Sequence, residues 1–260
     1  MMELNAAPVT VDDFAPLGLV GFGHFTSMLV ENASVRGLEM HLDRLARDCR
    51  TVFDAELDPY RVRDAVRHAI RDVTDAVVVR VTIYDPKLTL ARPGDPANPQ
   101  VLISMRAAPA GPQPPLRLQS VVYSRDVPKV KHIGLFGAEH QRALAQRAGY
   151  DDVLFTDSDG SISEIATSNI ALITEDGQLV WPRAEVLAGT TMRLLNQVRD
   201  EDVLTRHITM AGLTDYVGAV ATNAATGVRA IASVDDVHWP EHEMVATLRG
   251  QYESIQAQRI

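Results

Sequence analysis

The stretch DDVLFTDSDGSISEIATSNIALITEDGQLVWPRAEVLAGTTMR, Asp151 to Arg193, carries the densest pattern in the chain. Its apolar runs DVLF, IALI and LVWP are separated by two Asp/Gly turns, DSDG at Asp157–Gly160 and EDGQ at Glu175–Gln178. Short apolar runs bounded by such turn residues read as strands, because Gly and Asp supply the backbone conformations that reverse the chain. A helix from about Gly189 to Arg199 follows the last strand, opened by Gly189-Thr190-Thr191. A helix start of this kind offers N–H groups and hydroxyls to an anion, although a Gly-Thr-Thr triplet is also an ordinary helix cap.

Outward from this segment the elements alternate. On its N-terminal side lies the helix AEHQRALAQRAGY, ending at Gly149, a residue suited to the left-handed cap, and before it the strand LQSVVYS. The proline-rich run AAPAGPQPP, Ala107 to Pro115, suits neither helix nor sheet and marks the domain boundary. Ahead of it come a strand at Ser27–Val30, a helix from about Met40 to Phe53, and a second from about Asp58 to Val73 with Tyr60, Val62, Val66 and Ile70 near helical spacing. Two strands, AVVVRVTIYD and PQVLISMRA, follow, joined by the loop Pro93–Pro99. Beyond the central segment a strand is expected at Ala219–Thr222. The chain thus reads as α+β in two domains, a small one over 1–110 and a larger one over 111–260.

Composition bounds the function. With 46% hydrophobic and 23% charged residues, the 260-residue chain can bury a full core. A net charge of −9 without a basic tract argues against nucleic acid, and the sequence has no apolar run of spanning length, which argues against a membrane. The start MMELNAAPVTVDDF carries acids where a secretion signal carries basic residues, and the single Cys49 excludes an internal disulfide, so a cytoplasmic location is expected. Cys49 itself reads as a buried apolar residue in the helix HLDRLARDCRTVFDAEL. No metal site is expected: His24 and His132 lack a third ligand at suitable spacing, and a calcium loop starting at Asp157 would close on Ser168, which is not an acid.

From GFGHFTSMLVENASVRGLEMHLDRL to TNAATGVRAI the chain resembles the class IV aminotransferases, most strongly from Lys131 to Gly189. The resemblance implies a two-domain fold-type IV enzyme using pyridoxal phosphate, and a role for each matching residue. Lys131 has the family's spacing to the following helix and acidic strand start, while Lys129 is offset by two; it would be the catalytic Schiff-base lysine, carried by the larger domain. Glu164, in register with Gly160, Ser163 and Asn169, would pair with the pyridine nitrogen and keep it protonated, so that the ring can draw electrons from the α carbon. Gly189, Thr190 and Thr191 would cradle the cofactor phosphate, and Arg44, in register with His41 and Leu45, would supply its permanent positive charge. Thr222 and Asn223 occupy the late loop from which the family reaches the phosphate or substrate.

Several positions depart from the aminotransferase pattern. Thr190 and Met192 replace an aliphatic residue and an arginine, Phe136 replaces a tyrosine that hydrogen-bonds the ring oxygen, and the early glycine-aspartate-glycine is Gly21-Phe22-Gly23. Phe25-Thr26-Ser27, Lys131-His132 and Asn223-Ala224 are similar to the family's lyase branch, aminodeoxychorismate lyase. Arg80 among valines is the candidate for a substrate carboxylate, because a guanidinium on an inward strand position is costly unless paired; a solvent-facing arginine is the competing reading. His24 would line the substrate pocket. The expected activity is transamination of an amino acid and 2-keto acid pair, with lyase chemistry and an inactive cofactor-binding module as alternatives. The resemblance further implies a twofold homodimer whose cleft lies between domains.

Overall fold

The computed structural model describes residues 2–199 and 203–260, and these fall into two compact units. The first comprises Met1–Ala108, Val130–Gly134 and Gln256–Ile260; the second, Pro109–Lys129 and Leu135–Ile255. The expected linear division did not contain the return of 130–134 to the first unit. Lys131, expected in the larger second domain, therefore folds with the first: its main chain bonds to a strand and a helix there, as described below.

The first unit runs β1 (Met2–Leu4), β2 (Ala7–Pro8), α1 (Val11–Leu19), β3 (His24–Val30), β4 (Ser34–Val35), α2 (Leu38–Phe53), α3 (Pro59–Ala69), β5 (Val77–Tyr84) and β6 (Gln100–Ala107). Its five-stranded sheet has the order β2-β1-β6-β5-β3. Met28, Val30, Val79, Val81, Ile83, Val101 and Ile103 form the sheet's core face and pack with Leu38, Leu42 and Leu45 of α2 and Val62 and Val66 of α3. Helix α2 starts two residues earlier than expected, and α3 ends at Ala69, four residues before the expected Val73. Asp58 caps α3 by accepting the Tyr60 N–H, and Tyr60 itself is exposed. Helix α1 was not foreseen; Thr10 and Asp13 form a reciprocal capping box, yet none of its residues is buried and Pro16 lies inside it, so no apolar stripe announced it.

The second unit holds β7 (Leu116–Val122), α4 (Phe136–Arg147), β8 (Asp152–Thr156), β9 (Ile162–Ile165), β10 (Asn169–Ile173), β11 (Leu179–Pro182), α5 (Thr190–Arg199), β12 (Leu204–Arg206), β13 (Gly218–Asn223), β14 (Gly227–Val234), β15 (Val237–His238) and α6 (Glu243–Ser254). The last strand, β16 (Gln258–Arg259), pairs with β4 in the first unit. The large sheet runs β12-β11-β10-β13-β14-β7-β8-β9, with β15 on β14. Every residue of β8, β10 and β11 is buried, which explains continuous apolar runs in place of alternation. Gly149, with φ +94°, follows α4 as expected of a left-handed cap.

Candidate active site

In the first unit the site is built on β3. Neighbouring side chains of a strand point to opposite faces, and directly paired residues of antiparallel strands share one. His24, Thr26, Met28 and Val30 therefore face the core under α2, while Phe25 and Ser27 share the other face with their partners Thr82 and Arg80 on β5. The segment around Lys131 extends this sheet beyond β3: the Phe25 N–H donates to the Lys131 carbonyl at 2.8 Å, the Ile133 N–H to Gly23 at 3.0 Å, and His24 pairs with His132. Lys131 thus lies opposite Phe25, its Nζ 4.8 Å from the Phe25 ring centroid. Arg80 stacks on the same ring, Cζ 3.7 Å from the centroid, and its Nε donates to Thr82 Oγ1 at 3.3 Å. No acidic side chain pairs with Arg80 among the described residues, and burial lowers its pKa from the ordinary arginine value.

On the core face, Arg44 is buried and its Nη2 donates to Thr26 Oγ1 and lies 3.3 Å from His41 Nδ1, which is 2.7 Å from the same hydroxyl. Burial, reinforced by Arg44 and Lys131, holds His41 well below the usual histidine pKa, so it is neutral. His24 is fully buried, with its ring 5.9 Å from that of Phe53 and both nitrogens without hydrogen-bond partners. Burial first, and then Arg44, push its pKa down to about 3. Alternation along β3 turns His24 away from the face that carries Phe25 and Arg80, onto the core face that also carries Thr26.

In the second unit, Glu164 projects from β9 with its side chain 8% exposed and accepts from Arg125 Nε at 2.8 Å; Arg125 is equally buried and also donates to the Pro128 carbonyl at 2.6 Å. The Leu187 N–H donates to the other Glu164 oxygen at 3.4 Å. Asn169 on β10 fastens the same loop from the other side: Nδ2 donates to the Leu187 carbonyl at 2.7 Å and Oδ1 accepts the Gly189 N–H at 3.2 Å. A Cβ on Gly189 would overlap Asn169 Oδ1, so a larger residue there must displace the Asn169 side chain. Beyond it, buried Thr190 and Thr191 open α5.

Thr191 Oγ1 is buried without a hydrogen-bond partner, as is Thr222 Oγ1 on β13, the strand residue paired with Asn169. Buried hydroxyls are nearly always satisfied in native proteins, so two orphans await an acceptor. A helix N-terminus with such a donor in its first turn, as Thr191 is, fits a phosphate. Asn223 does not join them. Its Oδ1 accepts from the Ala225 and Thr226 N–H groups and the Thr226 hydroxyl, and its Nδ2 donates to Ser168, so the side chain closes the β13–β14 turn.

Lys129 lies on the surface, its Nζ 2.8 Å from Glu185 in an ion pair about 70% exposed on both sides. Phe136 begins α4, is 83% exposed and stacks on His140. Arg125 went unrecognised in the sequence because an arginine in SRDVPKV carries no periodic signal, and the buried Asp48 of α2 because it reads as one more charge on an amphipathic helix.

The first unit thus sets a lysine and an arginine around one phenylalanine ring, and the second holds a buried glutamate together with two buried threonine hydroxyls that lack partners. The chain belongs to the class IV aminotransferases: that family's model matches residues 23–234. Class IV aminotransferases work with pyridoxal phosphate, and the fold is the α+β fold of the type IV enzymes. A hypothetical aminotransferase from Mycobacterium tuberculosis, in its pyridoxal-phosphate-bound form, superposes with a TM-score of 0.83 over 98% of both chains at 20% identity. The 4-amino-4-deoxychorismate lyase from Pseudomonas aeruginosa gives 0.80 over 96% of this chain and 97% of that one, at 24% identity. A probable branched-chain-amino-acid aminotransferase from Rickettsia bellii is 29% identical over 119 residues, 43% of this chain and 41% of the relative, so the match spans well under half the length of either. Among the described residues no helix is long and apolar enough to cross a membrane.

Proposed function

We propose that the chain is a pyridoxal-phosphate-dependent aminotransferase acting on an amino acid and 2-keto acid pair, with Lys131 attaching the cofactor and moving the α proton. The observation that supports this most is the pairing of Lys131 and Arg80 on the Phe25 ring. Two cations around one aromatic ring raise the local positive potential, and the carboxylate of an amino acid lowers it. Arg80 would hold that carboxylate while the amine-bearing carbon lies toward Lys131 Nζ. When bound, pyridoxal phosphate supplies an electron sink for the pair left on the α carbon. Glu164, oriented by Arg125 and the Leu187 N–H, would hold the proton on the ring nitrogen. Gly189, Thr190, Thr191 and Thr222 would take the phosphate, with Arg44 supplying charge.

A second reading, pyruvate release by a lyase of the aminodeoxychorismate type, is favoured by Thr26. It belongs to the Phe25-Thr26-Ser27 run that resembles the lyase branch, and its hydroxyl is occupied by Arg44 and His41. A panel of amino acids, read by conversion of the bound cofactor to its pyridoxamine form, separates the two, because only an aminotransferase stores the amino group. Conversion by at least one amino acid supports transamination. No conversion together with pyruvate release from aminodeoxychorismate replaces it with the lyase, and cofactor binding with neither activity leaves an inactive module. The same reading carries a cytoplasmic twofold homodimer with small-molecule substrates and no nucleic-acid or membrane partner; light scattering at micromolar concentration tests the assembly.

A further inference from the structure

Asp48 lies on α2 with its side chain entirely buried. Its two oxygens have different partners. Oδ1 accepts from Arg47, Nε at 3.0 Å and Nη2 at 2.6 Å, while Oδ2 accepts the main-chain N–H of Lys131 at 3.0 Å. The Lys131 carbonyl accepts from Phe25 on β3, so both main-chain polar groups of this residue are fixed, one by a helix side chain and one by a strand. The strand bond is peptide to peptide and independent of residue type. The helix bond depends on Asp48.

A fully buried carboxylate is expensive unless its partners repay the lost hydration, and here the paired Arg47 side chain is half exposed. A neutral acceptor could have satisfied one N–H at lower cost. What the charge adds is strength in the bond it accepts. That bond stiffens the peptide from which the Lys131 side chain departs toward the Phe25 ring.

We infer that Asp48 is the positioning residue of Lys131: from α2 it clamps the Lys131 main chain so that the ε-amine is presented at Phe25. The inference rests on the reading of Lys131 as the cofactor lysine. Its first test does not. In the cofactor-free protein, amide hydrogen exchange at Lys131 is measured for the wild type, Asp48→Ala and Asp48→Asn. Asp48→Ala removes the acceptor and is expected to speed exchange at Lys131 at least tenfold, with the β3–β5 amides unchanged. Asp48→Asn keeps one acceptor, and since Arg47 can turn to water whereas the Lys131 N–H cannot, protection is expected to stay within a few-fold of wild type. The second readout is the rate at which added pyridoxal phosphate becomes trapped on Lys131 by borohydride, expected to fall in Asp48→Ala and to recover in Asp48→Asn. Unchanged Lys131 exchange in Asp48→Ala overturns the inference. Should that variant not fold, loss of Lys131 protection in Asp48→Asn overturns it as well. If wild-type trapping marks another lysine, the functional reading falls while the exchange result still decides the clamp.

Discussion

Arg125 and Glu164 form a buried ion pair, Nε to Oε1 at 2.8 Å, with both side chains 8% exposed. Its energetic weight differs from that of the exposed pair Lys129–Glu185. Removing one member of a buried pair strands the other charge and typically costs about 3–5 kcal/mol, whereas an exposed pair contributes about 0–1 kcal/mol. Arg125→Ala is therefore expected to lower stability by several times more than Lys129→Ala, and the double change Arg125→Ala with Glu164→Ala to recover part of the loss. Urea unfolding of the four proteins checks this; equal costs for Arg125→Ala and Lys129→Ala would refute it.

Lys131 and Lys129 are also separable by chemistry. Borohydride treatment of the loaded protein should attach the cofactor to Lys131, as read by peptide mass spectrometry. Lys131→Ala should abolish the trapping and Lys129→Ala leave it intact, and the reverse pattern sinks the assignment.

The orphan hydroxyls of Thr191 and Thr222 predict opposite effects in the two forms of the protein. Replacing either by Val removes a buried group with no partner, so the cofactor-free melting temperature should hold or rise. A hydrogen bond to a charged group contributes about 1.5–3 kcal/mol, so affinity for pyridoxal phosphate should fall by roughly ten- to a hundredfold per substitution. Equilibrium dialysis beside thermal melts measures both, and unchanged affinity would remove these residues from the phosphate site.

Gly189→Ala places a methyl group against Asn169 Oδ1 and should prise Asn169 from the loop it ties down. Overpacking of this kind costs about 1–3 kcal/mol. Cofactor affinity should fall as well, because the same loop leads into Thr190 and Thr191. A variant as stable and as tight-binding as wild type would contradict the arrangement.

His24 makes stability pH-dependent. Its folded pKa, about 3, lies below the ordinary histidine value of 6.5, so the unfolded chain binds a proton that the folded chain refuses. Stability contributed by neutral His24 is complete above the unfolded pKa and is lost as pH falls from about 6.5 toward 3, at up to about 1.4 kcal/mol per unit. His24→Leu should make this acid limb shallower, leaving the contribution from His41. Denaturant midpoints between pH 7 and pH 4 provide the check, and an unaltered slope counts against the buried neutral state.

Much of the local structure was legible because it is local. The runs DVLF, IALI and LVWP became β8, β10 and β11, the helix over AEHQRALAQRAGY appeared as α4 with Gly149 just beyond it, and Arg44 and Glu164 lie in a helix and a strand as their motifs implied. These features depend on residues within a few positions of one another, where apolar period, turn chemistry and caps act.

What only the tertiary structure decided are the pairings between distant residues and the direction of each side chain. Arg125 meets Glu164 across 39 positions, and Asp48 meets the Lys131 N–H across 83. No local period encodes such separations, because they arise when strands and helices are laid together. His24 and Phe25 are adjacent in sequence yet face opposite sides of β3, and Asn223 spends its amide on its own turn while Thr222 keeps an unmet hydroxyl. One-residue alternation in a strand makes every assignment of a neighbour depend on register, and register is set by the sheet as a whole.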